Sequence, residues 1–291
     1  EKSGDQHDDH LQRQSQQEQD TNDKRTYEDA AQILHLFPIL LLFPMFWMLY
    51  DQQSSVWILQ AKRMALHGLE PEELNVINPA EILLFIPLFD QIIYPWMQRR
   101  NIDISPIARM KYGMFLASLS FAISSVLERI IQTQPPSSVH IAWQIPQLTI
   151  LTVAEIFVNV TGLEFAYAQA PENMQALILA LYLCMQSIGD VFGAVLYSSV
   201  FTYLNMAVVL GICAALMLLN LVGFSIVSAG WTPYQRNDTS ANSGGDSGDN
   251  AEIEMKLASS AVLQMGDNLG GNSGYHIDDG GDNTTTEHII T

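Results

Sequence analysis

The forty residues from Val191 to Gly230 carry no charge, and most of them are apolar. A single helix over that stretch would be about 60 Å long, roughly twice the thickness of a bilayer's hydrocarbon core. One membrane-spanning helix cannot use that length. We therefore predict two helices here, with a break near Ser199–Asn205.

Other segments of the chain have the same character, with long apolar runs and few charges. A buried helix of a soluble protein is usually shorter and carries a polar face, and the alternation expected of a strand is scarce. The sequence therefore predicts an all-α membrane protein with six transmembrane helices. The predicted segments are Ala31–Tyr50, Val76–Met97, Tyr112–Leu127, Ile141–Tyr167, Asn173–Gly189 continuing to the break, and Tyr203–Ser228.

The two ends of the chain differ from its middle. The formal net charge is −18, and the acidic excess is concentrated in residues 1–29 and in the Gly- and Asn-rich residues 231–291. Such segments cannot bury enough apolar surface to offset the entropy of ordering, so we predict a disordered linker and a disordered tail around a bundle at 30–230. Cys184 and Cys213 lie in apolar runs and indicate neither a disulfide framework nor a metal site.

The loop after the second segment is basic and carries Arg99, Arg100, Arg109 and Lys111. Because Lys and Arg favour cytoplasmic loops, we place this loop in the cytoplasm, and six crossings then place both termini there. Lys62 and Arg63 of the first loop would face outside, which weighs mildly against this orientation. The basic loop could instead bind anionic lipid head groups.

One ionisable residue, Glu155, lies in the middle of the apolar run LTVAEIFVNVTGLEF. A charge at that depth costs about 3 kcal/mol on insertion scales. Thr152 and Asn159 share its helix face, so this face should point into the protein or a wet cavity. Carboxylates at the midplane usually mark substrate or ion paths, which predicts a proton or cation site. The alternative is a neutral, hydrogen-bonded Glu155 that holds helices together.

Further polar residues interrupt the first two apolar segments. Asn78 and Glu81 share one face of the second segment, although Asn78 before Pro79 also fits a helix N-cap. Glu81 is either a second acidic site or part of a solvated cavity wall. Asp51, just after the first segment, lies at the outer mouth or makes a helix-end contact.

Aromatic residues near the end of the first segment also allow two interpretations. Phe46, Trp47 and Tyr50 form either an aromatic belt at the membrane interface or the wall of a pocket. His35 lies near the cytoplasmic end of that segment, where a solvated histidine is the simplest expectation. Asp190 on the fifth segment is as ambiguous as Asp51.

Four stretches resemble one transporter family. They are FPMFWMLYDQQSSVWILQAKRM, NPAEILLFIPLFDQIIYP, KYGMFLASLSFAISSVLE and AEIFVNVTGLEFAYAQAPENMQ. They resemble the C-terminal half of the proton-coupled oligopeptide transporter (PTR/POT) family, and the animal-type di- and tripeptide carriers most of all. The similarity covers about residues 30–228, in order and with similar spacing, and GLEFAYAQAP is its most specific element.

The resemblance implies a major-facilitator fold, in which twelve helices form two bundles with the substrate between them. This chain would hold only the last six helices. Glu155 matches the family's acid on the tenth helix, which is thought to receive the amino terminus of the peptide. Trp47 matches a tryptophan of the pocket wall, Asn78 an asparagine of the binding cavity, and Asp51 an acid of the outer gate.

The chain also departs from the family pattern. The first-half motif of two glutamates and an arginine, expected to hold protons and the peptide's carboxyl end, is absent together with the first half. Asp90 matches the aspartate of a cytoplasmic gate, but the position of its arginine partner falls on His35. The two residues would form a pH-sensitive gate, or this chain has no gate pair.

The functional expectation is proton-coupled symport of di- and tripeptides, with Glu155 as anchor and with Trp47, Tyr50, Asn78 and Asn159 around the substrate. The proton gradient would drive transport without a cofactor. The expected partners are peptide, protons, the lipid bilayer and the missing N-terminal bundle, with no nucleic acid. We expect a plasma-membrane protein that is inactive without that bundle.

Two alternatives stay open: another substrate of the same family, such as nitrate or amino acids, or a non-transporting sensor or assembly partner. An enzyme is not expected, because the sequence has no nucleophile–base pair, metal-ligand spacing or phosphate loop.

Overall fold

A computed structural model describes residues 2–68, 70–199 and 203–232, and these residues are almost entirely helical. The α-helices are α1 Lys2–Leu40, α2 Phe43–Tyr50, α3 Ile58–Ala61, α4 Ile77–Leu88, α5 Tyr94–Arg99, α6 Pro106–Thr133, α7 Ile145–Glu155, α8 Thr161–Ala168, α9 Gln175–Ser199 and α10 Met206–Gly230. Short 3₁₀-helices cover Pro71–Val76, Ile141–Gln144 and Glu172–Met174. The described residues form no strand beyond one isolated bridge between Ala65 and His140.

Three π-helical segments join some of these helices into longer rods, at Gln53–Trp57, Phe89–Ile93 and Ile156–Val160. Five rods are long and apolar enough to cross a membrane, and a bent pair of helices that meet at 41° supplies a sixth. We number them in chain order as spans one to six: Thr21–Leu40 with Phe43–Ala61, Pro71–Arg99, Pro106–Thr133, Ile141–Ala168, Gln175–Ser199 and Met206–Gly230. The prediction of an all-α membrane protein with six spans is confirmed when the bent pair counts as one.

The first span differs from the single helix predicted over Ala31–Tyr50. Its first piece contains Pro38 and its second begins with Pro44 in the first turn. A proline removes one backbone donor and clashes with the preceding turn, so helices break or bend near it. The second piece then runs on to Ala61, which places Asp51 inside the span rather than at its end.

The predicted break between the last two spans is confirmed. The fifth span ends at Ser199 and the sixth begins at Met206. Asn205 caps the new helix, because its side chain accepts a hydrogen bond of 3.0 Å from the Ala207 N–H. A polar cap of this kind satisfies one of the free donors at a helix start.

The structure corrects the predicted disorder of residues 2–29, which belong to helix α1. Gln, Glu, Lys and Arg favour helices once neighbouring residues fix the first turn. Asp29 accepts a hydrogen bond of 2.8 Å from Asn173, and Gln32 donates one of 2.6 Å to the Gln169 carbonyl. Composition alone did not reveal this anchoring. The predicted disordered tail lies outside the described residues from position 233 onward.

Small residues let the third span approach its neighbours closely. Ser118 donates a hydrogen bond of 2.8 Å to the Ala214 carbonyl of the sixth span. A Cβ on Gly113 would lie 2.6 Å from Cγ2 of Val158 and 2.8 Å from the Ala154 carbonyl oxygen of the fourth span. Glycine is therefore required at this crossing, as is common where membrane helices pack tightly.

The fifth span packs against the first through the sequence GDVFG. A Cβ on Gly189 would lie 2.5 Å from the Pro44 carbonyl oxygen and 2.8 Å from Cβ of Trp47. A Cβ on Gly193 would lie 3.0 Å from the Met48 carbonyl oxygen. These two glycines, four residues apart, form the small-residue face that lets helix backbones meet, and they fix the position of Trp47.

A buried polar cluster ties together the first, third and fourth spans near the first loop. Oε1 of Gln60 accepts hydrogen bonds from Ser124, Gln144 and Gln147 at 3.0–3.3 Å. Nε2 of Gln60 donates to Glu128 at 3.1 Å. All five side chains belong to fully buried residues, so their mutual hydrogen bonds are what makes this polar interior stable.

The basic residues of the first loop are paired with acids. Arg63 contacts Glu128 at 2.5 Å, and Lys62 contacts Glu72 at 3.1 Å. Their charges are thus locally compensated. The predicted orientation of the spans stays a prediction.

Candidate functional site

Side chains from two other spans meet at the carboxylate of Glu155 on the fourth span. Tyr50 donates a hydrogen bond of 2.5 Å to Oε2 of Glu155. Nδ2 of Asn78 lies 3.0 Å from the same oxygen and 2.6 Å from the Tyr50 hydroxyl. Sequence reasoning selected all three residues, and the structure brings them together.

Irregular helix geometry positions two of the three residues. Tyr50 is the last residue of α2, shortly before the π-helical segment Gln53–Trp57, and Glu155 is the last residue of α7, directly before Ile156–Val160. A π-helical turn holds an extra residue, which changes the direction of the side chains around it, and such turns are frequent at functional sites.

Asn78 does not cap a helix. It is the second residue of α4, whose N-cap is Val76, and the preceding 3₁₀-helix Pro71–Val76 leads straight into α4. No free helix start is left for the Asn78 side chain to satisfy. The capping interpretation is therefore wrong, and the side chain points to Glu155 instead.

The aromatic residues of the first span line the cluster. Trp47 packs edge to face on Tyr50 with ring centroids 5.3 Å apart, and Phe46 stacks on Tyr50 at 5.9 Å. All three residues are buried in the bundle. They form a wall behind the Tyr50 hydroxyl and not an exposed belt at the membrane interface.

Asn159, one helical turn after Glu155, is held by a residue that sequence reasoning missed. Tyr182 of the fifth span donates to Oδ1 of Asn159 at 3.1 Å and lies 3.2 Å from its carbonyl oxygen. Phe43 packs on Tyr182 with ring centroids 5.1 Å apart. Asn159 is thus a buried neighbour of the anchor, fixed by the fifth span.

Glu155 has hydrogen-bond donors but no cation. The residue is only 8% exposed, and none of the ion pairs in the described part of the chain includes it. Oδ1 of Asn78 is also buried and accepts no hydrogen bond. A buried carboxylate without a counter-ion is costly, so the arrangement suits a proton or a ligand that is positively charged.

Glu81 lies one turn after Asn78 and faces the fourth span. Thr149 donates a hydrogen bond of 2.5 Å to Oε1 of Glu81. Oε2 is buried and has no hydrogen-bond partner. Glu81 is therefore a second acidic group, in which one carboxylate oxygen accepts a hydrogen bond and the other has no donor.

Asp51 faces an acid of the fifth span. Its carboxyl interacts with that of Asp190, which the tight packing of the two spans brings close. The structure thereby joins two residues that sequence reasoning kept apart. Neither carboxyl takes part in an ion pair among the described residues.

The structure does not bring His35 and Asp90 into contact. The ring of His35 packs on Trp231 at a centroid distance of 5.8 Å, and its carbonyl accepts a hydrogen bond of 3.0 Å from the Trp231 indole. No hydrogen bond or ion pair joins His35 to Asp90 within residues 2–68 and 70–199. The charged neighbours of Asp90 are Arg109 and Glu164.

Arg109 links the second, third and fourth spans at the predicted cytoplasmic end. It contacts Glu164 at 3.3 Å and lies over the ring of Tyr94 at 5.3 Å. Sequence reasoning treated Arg109 only as a loop charge and did not select Glu164. The family motif GLEFAYAQAP contained the one available signal, because Glu164 is its glutamate.

Comparisons with known proteins agree with this architecture. A family model described as POT family matches residues 3–209. Peptide transporter PTR2 of Saccharomyces cerevisiae is 30% identical over 186 residues, which cover 60% of this chain and 31% of that protein. Solute carrier family 15 member 3 of Mus musculus is 28% identical over 206 residues, covering 57% of this chain and 36% of that protein.

Two solved structures share the fold. The crystal structure of an auto-inhibited POT family peptide transporter superimposes with a TM-score of 0.65 at 25% identity, over 74% of this chain and 44% of that one. The in meso crystal structure of the POT family transporter PepTSo superimposes with a TM-score of 0.64 at 26% identity, over 70% of this chain and 42% of that one. The chain therefore spans about a third of the curated relatives and less than half of these structures.

The family match covers most of the described bundle, and the solved structures have the same helical architecture. The chain is an integral, multi-pass membrane protein with the C-terminal half of a major-facilitator fold. On these grounds it belongs to the POT family of transporters.

Proposed function

We propose that this chain is the C-terminal six-helix bundle of a proton-driven symporter for di- and tripeptides. The observation that carries the proposal is the Tyr50–Asn78–Glu155 cluster, a buried carboxylate with ordered donors and no cation among the described residues. The relatives named as peptide transporters support the substrate class.

Glu155 anchors the amino end of the peptide. An ammonium group brings a positive charge and three donors. One donor reaches the Glu155 carboxylate, and a second reaches Oδ1 of Asn78, which is buried and unpartnered. The orientation of the Asn78 amide follows from chemistry, because Nδ2 must face the two oxygens of Tyr50 and Glu155.

The coupling proton and the peptide bind different groups in this proposal. Competition for the single Glu155 carboxylate would exchange peptide for protons, whereas symport carries both in the same direction. The cotransported proton therefore binds acids of the N-terminal bundle, as the family resemblance implies, while Glu155 holds the ammonium group. The inward proton gradient supplies the drive.

The rest of the chamber comes from the aromatic wall and from a partner bundle. Trp47 and Tyr50 shape the space for the peptide side chains. The second span is the most open of the single-helix spans, with only 6% of its most apolar stretch buried. We propose that its open face meets an N-terminal six-helix bundle and that substrate binds between the two, as sites at repeat interfaces do.

The basic loop that carries Arg99 and Arg100 is cytoplasmic in this proposal, so both termini are cytoplasmic as well. The protein resides in the plasma membrane, where an inward proton gradient and external peptide are both available.

The test is uptake of labelled alanyl-alanine by cells that express the complete transporter carrying this sequence. We expect acid-stimulated uptake that Glu155→Gln abolishes while surface expression is kept. The matched control is Glu72→Gln, which removes an exposed carboxylate in the 3₁₀-helix at the start of the second span and should transport normally. Uptake that Glu155→Gln leaves unchanged would refute the anchor, and competition by nitrate or free amino acids but not by peptides would refute the substrate. Expressed without a partner bundle, the 291-residue chain should show no uptake.

A further inference from the structure

We infer that Glu81 forms a second cation subsite, which receives the positively charged side chain of a basic residue in the peptide. The inference rests on the proposed function, because it names a substrate class for the same chamber. Glu155 would anchor the amino end of every peptide, whereas Glu81 would act only on peptides with a lysine- or arginine-like side chain.

Only one of the two carboxylate oxygens of Glu81 has a hydrogen-bond partner. Thr149 donates to Oε1 at 2.5 Å and fixes the carboxylate, whereas Oε2 is buried and accepts no hydrogen bond. An acceptor left unpaired in the interior costs free energy until a donor arrives. An ammonium or guanidinium group supplies both a donor and the compensating charge.

Glu81 has no ion-pair partner in the part of the chain that the structure describes. Among the described residues, the ion pairs of Lys and Arg are those with Glu72, Glu128 and Glu164. A carboxylate near apolar helices that lacks a cationic partner is available to a positively charged ligand. Glu81 shares this property with Glu155, on a different span.

The spacing suits one ligand that bridges both acids. Asn78, which belongs to the Glu155 cluster, is three residues before Glu81, and side chains at this spacing start about 5–6 Å apart on a helix. The four-carbon stem of lysine is flexible and can span about one helical turn. An amino end at Glu155 and Asn78 therefore leaves the side-chain ammonium within reach of Glu81.

Access to Glu81 follows from the position of α4. This helix has no buried residue, and the Glu81 side chain is partly exposed although one of its oxygens is buried. The acid therefore lies at the edge of the contact between the second and fourth spans. Because Oε2 itself is buried, a cation that approaches from the open side reaches it once the partly exposed Glu81 side chain turns outward, which does not require the spans to separate.

The experiment compares two peptides of equal length that differ in one charge. Lysyl-alanine and norleucyl-alanine compete for alanyl-alanine uptake by the complete transporter. We expect the wild type to bind lysyl-alanine about tenfold more tightly than norleucyl-alanine, because one charge-assisted contact allows a ratio of affinities of that size. Glu81→Gln should bring this ratio close to one and leave norleucyl-alanine unaffected, and Glu72→Gln should preserve the ratio.

Thr149→Val is the second variant, because it frees the Glu81 carboxylate without removing it and should lower the ratio partway. A ratio that survives both substitutions would overturn the subsite. An equal loss of affinity for both peptides in Glu81→Gln, with surface expression kept, would overturn the subsite as well, because Glu81 would then act on every substrate. Absence of any dipeptide uptake by the wild type would instead refute the proposed function itself.

Discussion

Tyr50 and Glu155, 105 positions apart in the chain, share a hydrogen bond of 2.5 Å inside the bundle. Each residue ends an α-helix close to a π-helical segment. The first and fourth spans therefore meet at the point where both depart from regular geometry. This contact fixes the carboxylate on which the proposed transport cycle depends.

Removal of the Tyr50 hydroxyl should weaken the anchor without disturbing the wall. In Tyr50→Phe the ring still packs on Trp47, but Glu155 loses one donor. Hydrogen bonds to charged groups contribute about 1.5–3 kcal/mol, so the apparent affinity for alanyl-alanine should fall at least about tenfold. Concentration-dependent uptake measures this. Tyr112→Phe is the control, since Tyr112 is 38% exposed on the third span, and an equal effect of both substitutions would contradict the prediction.

Addition of a methyl group at Gly189 should separate the first and fifth spans. The new Cβ would lie 2.5 Å from the Pro44 carbonyl oxygen, and backbone cannot yield as a flexible side chain does. We expect Gly189→Ala to destabilise the protein by about 1–3 kcal/mol, measured as a lower unfolding temperature in detergent. Gly223→Ala is the control, because its new Cβ would lie 3.9 Å from the nearest atom, Cδ2 of Leu42. This substitution should be neutral or slightly stabilising. Similar unfolding temperatures for both variants would contradict the close packing.

Adjacent basic residues of the first loop should differ in their effect on stability. Arg63→Met leaves the fully buried Glu128 without its cation, and buried charges that lose a partner are strongly destabilising. Because Arg63 itself is 41% exposed, we expect a loss on the order of 2 kcal/mol. Lys62→Met breaks an exposed pair and should cost about 0–1 kcal/mol. Thermal unfolding of the two variants checks this, and the reverse order would show that Glu128 has another source of compensation.

The sequence predicted the spans because hydrocarbon imposes strict requirements on length and polarity. The break before Met206 followed from length alone, and Glu155 was found because a charge at mid-depth is costly. Pro38 and Pro44 were a signal for the bend after Leu40 that the sequence analysis did not use. The π-helical segments left no comparable signal, because they depend on packing that a single sequence does not display.

The residues that contact the site from neighbouring spans were harder to predict than Glu155 itself. Thr149 and Tyr182 are ordinary residues of apolar helices, and only the packing of the spans gives them acidic or amide neighbours. The expected His35–Asp90 gate came from matching positions to a family pattern, and the structure places Arg109 near Asp90 instead. The low hydrophobicity of residues 2–29 predicted disorder. Contacts between distant positions, such as Asp29 with Asn173, hold this helix instead, and the local composition does not reveal them.

The central claim is that Glu155 recognises the charged amino group of a peptide. Its most direct test is competition for alanyl-alanine uptake by alanyl-alanine and by N-acetyl-alanyl-alanine, which lacks that charge, in the complete transporter. We predict that the wild type prefers the free peptide strongly and that Glu155→Gln loses this preference. A preference that remains undiminished in a transport-competent Glu155→Gln variant would contradict the account.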